Sequence, residues 1–453
     1  MIRSCSRVLL VAPICLLVLP VFLPGGAAHA ATRLVNNCNN SGTGSLRAAV
    51  ASAISGDTID LRSLSCSRIL LNGQIEVPQQ HLRLLGPGRF ALTLDGNAAG
   101  RVFNHTSSGT LFIYRMSITN GRVVSSSSTP AEGGCIFSFG TVELRRSRLH
   151  HCEAYAPEYT TDAAAGGGIR AVNVVLNYSS VFSNKAGTYG FGGGISARTA
   201  RLYHSQVYDH AVTGDGGGID AADVSATYSR IHDNSAYRGG GINCGRLTLN
   251  KSTVYNNRAV LREFLGGNME NEAGGVRVEG SGHSRVIDST ISGNRAFNYS
   301  AGVFRNGTVS IYNSTITRNT EDFPGGAGYL PPEYYGRGAL FATTLKLESS
   351  ILAGNRRTTG TPAYDIAPGT TLTGSHDLIS HSQVPVPADT LLFDDPRVAA
   401  LAYYGGETRT HMLLADSPAR DRGSNVLGLE YDQRGPGFPR VKGTATDIGS
   451  VER

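Results

Sequence analysis

Two aspartates, Asp209 and Asp233, stand 24 residues apart and close near-identical phrases, Val207-Tyr208-Asp209-His210 and Ile231-His232-Asp233-Asn234. If 24 residues make one structural repeat, the two carboxylates become neighbours roughly 5 Å apart, the separation of a retaining glycoside hydrolase with one acid and one nucleophile. The same pair could hold a calcium ion, because hard cations want several oxygens and Asn256, Asn257 and Asp215 are candidates for the rest. Against both readings, Asp ahead of Asn at a β-corner is ordinary turn chemistry. One position earlier, the repeat lines up His150, Phe182, Tyr208, His232 and Tyr255. Such a row would extend roughly 20 Å at strand spacing and could stack on sugar rings, or its members could simply stack on one another across repeats.

The elements that must position these residues are legible as a repeat. Gly-Gly-Gly-Ile boxes begin at Gly166, Gly192, Gly216 and Gly239, and a Val or Ile followed three residues later by Asn recurs as Val181 to Asn184, Ile231 to Asn234, Val254 to Asn257, Ile291 to Asn294 and Ile316 to Asn319. Between box and Asn, apolar residues alternate with polar ones, as in Leu247 and Leu249 or Val309 and Ile311, which is the period of a strand. A unit of some two dozen residues cannot bury its own core, so the units must stack with strands in register, as in a parallel β-helix of roughly ten to twelve coils. Gly supplies a left-handed backbone at one corner. The Asn is expected at another corner, in the left-handed region, with its amide bonding to its copy in the next coil. This ladder runs through Asn184, Asn234, Asn257, Asn294, Asn319 and Asn355, with His210 breaking it and Cys152 in the equivalent earlier place. The stretches Ala259 to Ala273 and Thr320 to Arg337 are insertions expected on one face of the rod.

Composition narrows the address and excludes several functions. The 453 residues include 57 Gly and no Trp, which suits turns and short strands. Arg3 and Arg7, the apolar run from Val8 to Leu23 and the box Ala28-His29-Ala30 read as a secretory signal peptide over residues 1–30, and no membrane span follows it. The whole chain carries a net charge of +6, and losing Arg3 and Arg7 leaves an excess too small and scattered for nucleic acid. In an oxidising destination Cys38 with Cys66, and Cys135 with Cys152, are plausible disulfides, although spacing alone does not fix connectivity. Cys244 stands where other coils have Ala171, Ala197 and Ala221, and is read as a buried free thiol. No cysteine or histidine pair has zinc-ligand spacing, so no metal site is assigned beyond the calcium option. No Gly-x-Ser-x-Gly elbow is placed between strand and helix, and the glycine boxes open no helix that would cradle phosphate.

Both ends of the chain carry further motifs. Gly44-Ser45-Leu46-Arg47-Ala48-Ala49, Gly56-Asp57-Thr58-Ile59-Asp60-Leu61 and Leu64-Ser65-Cys66-Ser67 resemble the N-terminal cap of bacterial secreted right-handed β-helix proteins. Tyr404-Gly405-Gly406-Glu407-Thr408-Arg409-Thr410-His411, Ser417-Pro418-Ala419-Arg420-Asp421, Asp432-Gln433-Arg434-Gly435 and Asp447-Ile448-Gly449 resemble the choice-of-anchor Q region that closes many such chains. The glycine boxes are similar to polymorphic outer-membrane-protein repeats, with Val or Ile in place of that family's Phe. The resemblance implies an all-β, single-stranded right-handed parallel β-helix: a cap with first coils at 31–95, repeats at 96–393 and a C-terminal cap at 394–453, the two caps covering the ends of the rod. It implies an address more firmly than a reaction, since fold is not function. The chain is therefore expected to be a secreted or cell-surface monomer that binds polysaccharide on the row His150, Phe182, Tyr208, His232 and Tyr255. The alternatives are a lyase, hydrolase or epimerase on Asp209 and Asp233, without a cofactor or with calcium, and a purely structural rod.

Overall fold

In the computed structural model, described for residues 30–126, 129–157, 164–187, 189–260, 272–322, 338–358 and 363–453, each central coil makes three strands and three turns. Residues 1–29, where a signal peptide is expected, and most of both insertions lie outside the described residues. One coil runs Ile195–Tyr203, Gln206–Tyr208, Ala211–Val212, and the next places Ile219–Thr227, Arg230–His232 and Ser235–Ala236 beside them in parallel register. Three parallel sheets result, of 16, 13 and 9 strands, here called sheets one, two and three. The chain is thus a right-handed parallel β-helix, and the thirteen rungs of sheet two slightly exceed the ten to twelve expected coils.

Side-chain alternation explains the packing. In the long strand Ile169–Asn177 the inward set is Ile169, Ala171, Val174 and Leu176, with one extra residue between the two pairs where the strand bends. Stacked copies of these four positions form a single apolar column from Val35 to Ile379. Cys244 falls in that column as a buried free thiol whose acidity is suppressed by burial. The Cys38–Cys66 and Cys135–Cys152 disulfides are formed, with Cα atoms 6.5 and 5.4 Å apart. Closing loops of about 15 to 30 residues stabilises the fold by about 3 kcal/mol each.

The corners correct one expectation. The first glycine of each box is indeed left-handed, with φ near +60° from Gly133 to Gly239, and a Cβ on Gly166 would meet the Ile169 carbonyl oxygen at 2.2 Å. At the next corner but one, however, the left-handed residue is the one before each Asn, or before the Cys152 or His210 in its place: His151, Ser183, Asp209, Asp233 and Asn256. That twist turns the following Asn inward, where its whole amide is used. Asn257 Oδ1 accepts from the backbone N–H and Nδ2 of Asn234, at 3.1 and 2.9 Å, and its own Nδ2 donates to Ile231 O and Asn294 Oδ1. The same contacts continue through Asn319 to Asn355, which ends on Asp365. His210 fills the slot rather than breaking it: Nδ1 accepts from the Asn184 N–H at 3.0 Å, so Nε2 carries the proton given to Val181 O. Burial holds this imidazole down to about 4, hence neutral. Asn184 Nδ2 is left with no partner among the described residues.

A serine ladder joins it. Ser179, Ser205, Ser229, Ser252, Ser289, Ser314 and Ser350, each at the entrance to sheet two, accept the backbone N–H of the preceding coil's serine.

The two ends are closed differently. The helix Leu46–Ser52, capped by Ser45, buries Leu46, Ala49 and Val50 against the first coils and so covers the column. The segment 394–453, expected over the other end, lies instead along the side of the rod. Its Arg409 carbonyl, its Ser450 N–H and its Thr410, Gln433 and His411 side chains hydrogen-bond Thr253, Thr290, Ser292 and Thr315, on the outer face of sheet two. Val398, Leu413, Ala419 and Ile448 pack on Ile351 and Leu378. Lys251 Nζ ties this clasp down by donating to Asp288 and to the carbonyls of Tyr431 and Asp432, while Arg440 lies fully buried 3.5 Å from Asp288. The physical reason is that the last coils present a row of small hydroxyls on sheet two, which only a hydrogen-bonding cover can satisfy. No described helix is long and apolar enough to cross a membrane.

Candidate functional site

The outer face of sheet two has an open window between two covers. At one side the loop 86–91 folds over Ser117, whose Oγ donates to the Arg89 carbonyl, and sets Phe90 against Arg148. At the other side the clasp brings Tyr403 and Arg409 over Arg230 and Tyr255. The rungs left between them carry Arg148, Ser180, Gln206 and Arg230 in register. Three coil steps make this window roughly 14 Å long.

The expected ring row forms one edge of the window. His150, Phe182, Tyr208, His232 and Tyr255 stack face to face, with centroids 4.6 to 5.0 Å apart and planes within 20°. Their faces are therefore spent on one another, Phe182 and Tyr255 are only 8% and 2% exposed, and a sugar could meet only edges. This is the self-stacking geometry that competes with a flat sugar platform. Burial, with help from His151 and Arg148, holds His150 down to about 4, and burial pushes the Tyr208 and Tyr255 phenols up.

Asp209 and Asp233 are one coil apart as the repeat requires, both on the left-handed turn. Asp209 accepts from the Ser183 hydroxyl at 2.6 Å and Asp233 from His232 Nδ1 at 2.6 Å. The His232 hydrogen bond holds the Asp233 carboxyl below its ordinary range, against a smaller opposing effect of burial. A hydrolase needs one carboxyl of the pair raised to act as the acid. The calcium set does not assemble either: Asp215 is engaged by both guanidinium nitrogens of Arg238 at 3.0 and 2.9 Å, and Asn257 is inside the ladder. Among the described residues no group of three or more His, Cys, Asp or Glu is placed to hold a metal ion.

The other edge was not anticipated. The left-handed turn entering sheet two carries Arg146, Tyr178, His204 and Tyr228 in successive coils, and Tyr178, His204 and Tyr228 stack at 4.6 and 4.9 Å. These positions lie three residues before each Val or Ile of the phrase, so stacking the repeats on paper would have exposed them. Between this row and the loop 86–91 lies a cleft of about 730 Å³ with Arg89, Phe90, Arg115, Arg146, Tyr178 and Gln206 on its walls. Phe90 is 77% and Tyr178 42% exposed, and Arg89 Nη1 donates to the Tyr178 carbonyl. Glu407 of the clasp meets His204 at the far side. Phe90 had no signal in the repeat, because its loop interrupts it.

No protein-family model matches the chain, and no curated protein sequence matches it. Among solved structures, a crystal structure of the pectate lyase Pel9A is similar, with 14% identity and a TM-score of 0.43 over 94% of this chain and 98% of that one. At that distance no residue of one chain can be placed on the other.

Proposed function

We propose that the protein is an extracellular or cell-surface rod that binds polysaccharide in the window on sheet two, without chemistry on the chain. The observation that carries this reading is the cleft beside the window, where Phe90 and Tyr178 are exposed in a concavity that also carries the donors Arg89, Arg115, Arg146 and Gln206. Apolar ring surface beside a few convergent polar groups is what recognition of a sugar requires. Two disulfides fit an oxidising compartment, and the expected signal peptide gives the route to it. The His150-to-Tyr255 row then serves as a stiff wall of the site rather than as a platform. The segment that resembles the choice-of-anchor Q region acts as the clasp that limits the window.

The test is retention of the purified protein on a panel of immobilised acidic and neutral polysaccharides, with and without calcium, with new reducing or unsaturated ends assayed in parallel. Retention without products, lost in Phe90→Ala and Tyr178→Ala, is the expected result. Products that disappear in Asp209→Asn or Asp233→Asn would replace this reading by the enzymatic one. Silence in both assays would leave a structural rod.

A further inference from the structure

We infer that the ligand is a polyanion, a polysaccharide bearing carboxylate or sulfate groups, whose charges are met by Arg89, Arg115 and Arg146; this rests on the polysaccharide reading of the same cleft. Elsewhere on the rod several arginines sit against carboxylates, as in Arg68 with Asp95, Arg122 with Glu153, Arg170 with Glu132, Arg238 with Asp215 and Arg295 with Asp322, while others, such as Arg201 and Arg285, stand without one among the described residues. The cleft gathers several unpaired arginines in one place. No acidic residue lines it, and among the described residues Arg89, Arg115, Arg146 and Arg148 have no ion-pair partner. Arg145 pairs with Tyr114 in the ladder, so Arg115 and Arg146 occupy the same turn one coil apart. Like charges at that spacing repel, and among the described residues no carboxylate pairs with either.

What holds these guanidinium groups is ring surface. Arg115 lies over Tyr114 and Arg146 over Tyr178, both at 5.9 Å, Arg89 over Phe90 at 5.2 Å, and Arg148 over Phe90 at 5.1 Å and Phe182 at 4.9 Å. Stacking orients a guanidinium without neutralising it and leaves its N–H edge free for a two-pronged bond to a carboxylate or sulfate. A duplex nucleic acid is too wide for a cleft of this size. A single strand needs open ring faces for its bases, and most rings here have theirs occupied by the stacks. A sugar chain needs only Phe90 and ring edges, so an acidic polysaccharide is the occupant the site favours.

The experiment measures affinity of the full-length mature protein for polygalacturonate and for dextran sulfate, for the uncharged counterparts methyl-esterified polygalacturonate and dextran, and for oligo-dT. The expected result is binding of one or both acidic polymers at least about tenfold tighter than their uncharged counterparts, weakened by salt. The double variant Arg115→Gln/Arg146→Gln should lose at least about tenfold on the acidic polymer and little on the neutral one, with an unchanged thermal midpoint as its folding control. A carboxylate source and a sulfate source are told apart by which acidic polymer responds. Equal binding of acidic and neutral polymers, unmoved by the double variant, overturns the charge assignment and leaves the polysaccharide reading intact. No binding of any polysaccharide overturns both. Binding of oligo-dT alone, dependent on the same arginines, overturns the sugar class.

Discussion

Two rows of rings border sheet two, built by the same repeat at the same spacing, yet the exit row is largely buried while the entry row opens to solvent at Tyr178. The exit row, Phe182 to Tyr255, sits on the last residue of each strand, so its rings stand on the sheet and are closed in by the clasp through Arg409. The entry row, Tyr178 to Tyr228, sits on the left-handed turn residue itself, which throws the side chain outward past the sheet. A shift of backbone conformation by one position thus separates rings that stiffen the rod from rings that can meet a ligand. The teaching is that a repeat makes rows, while the cover laid over them decides which row is a site.

The interior ladder sets the scale against which both rows can be broken. Asn257→Ala orphans the buried N–H and Nδ2 of Asn234 and should cost about 4 kcal/mol in chemical denaturation, since each unmet buried donor costs about 1 to 3 kcal/mol. Tyr255→Ala should follow at about 3 kcal/mol, because a buried ring stacked on His232 is removed. Tyr178→Ala should cost less than about 1 kcal/mol while lowering retention on polysaccharide. Equal losses of stability for the two tyrosines would erase the distinction between the rows.

Smaller effects sharpen it. His210→Asn supplies the partner that Asn184 Nδ2 lacks and should stabilise by about 1 kcal/mol at pH 7. It also changes the acid limb. His210 is held at about 4 in the fold against 6.5 when free, so the unfolded chain binds the extra proton between those values. Its contribution is whole above pH 6.5 and is lost as pH falls toward 4. The variant should therefore show one proton less in the slope of unfolding free energy against pH over that window; an unchanged slope would mean that His210 is protonated in the fold. Asp233→Asn is the mildest. The wild-type carboxyl lies below 3.8, so its contribution is present above that pH and gone well below it. For this half-exposed pair a loss under about 1 kcal/mol at pH 7, vanishing near pH 2, is expected.

Much of the architecture was legible before the fold. The boxes at Gly166, Gly192, Gly216 and Gly239 marked the crowded corner, and the Val/Ile-to-Asn phrase marked the ladder and the ring row residue by residue. The serine ladder was equally repetitive but went unread, because Ser is common in turns and its spacing carries meaning only once its hydroxyl is seen to accept from the coil before. Asn was assigned the left-handed corner on its known tolerance, whereas Asp, Ser or His one position earlier takes it, since an inward amide with all its bonds made outweighs a modest turn preference. The window was invisible in the sequence. Phe90 and Arg89 come from a loop outside the repeat, and Tyr403 and Arg409 from a clasp some 150 residues beyond Tyr255.

The sequence by itself determined what one coil does to the next: which side chains face in, and that the glycine corner must be left-handed. Those are contacts at fixed offsets of one repeat, and periodicity encodes them. Only the tertiary structure decided where the rod is covered and where it is open. That choice depends on the non-repeating ends folding back on sheet two, where hydroxyls of Thr253, Thr290 and Thr315 wait for donors and acceptors that no neighbouring coil can offer.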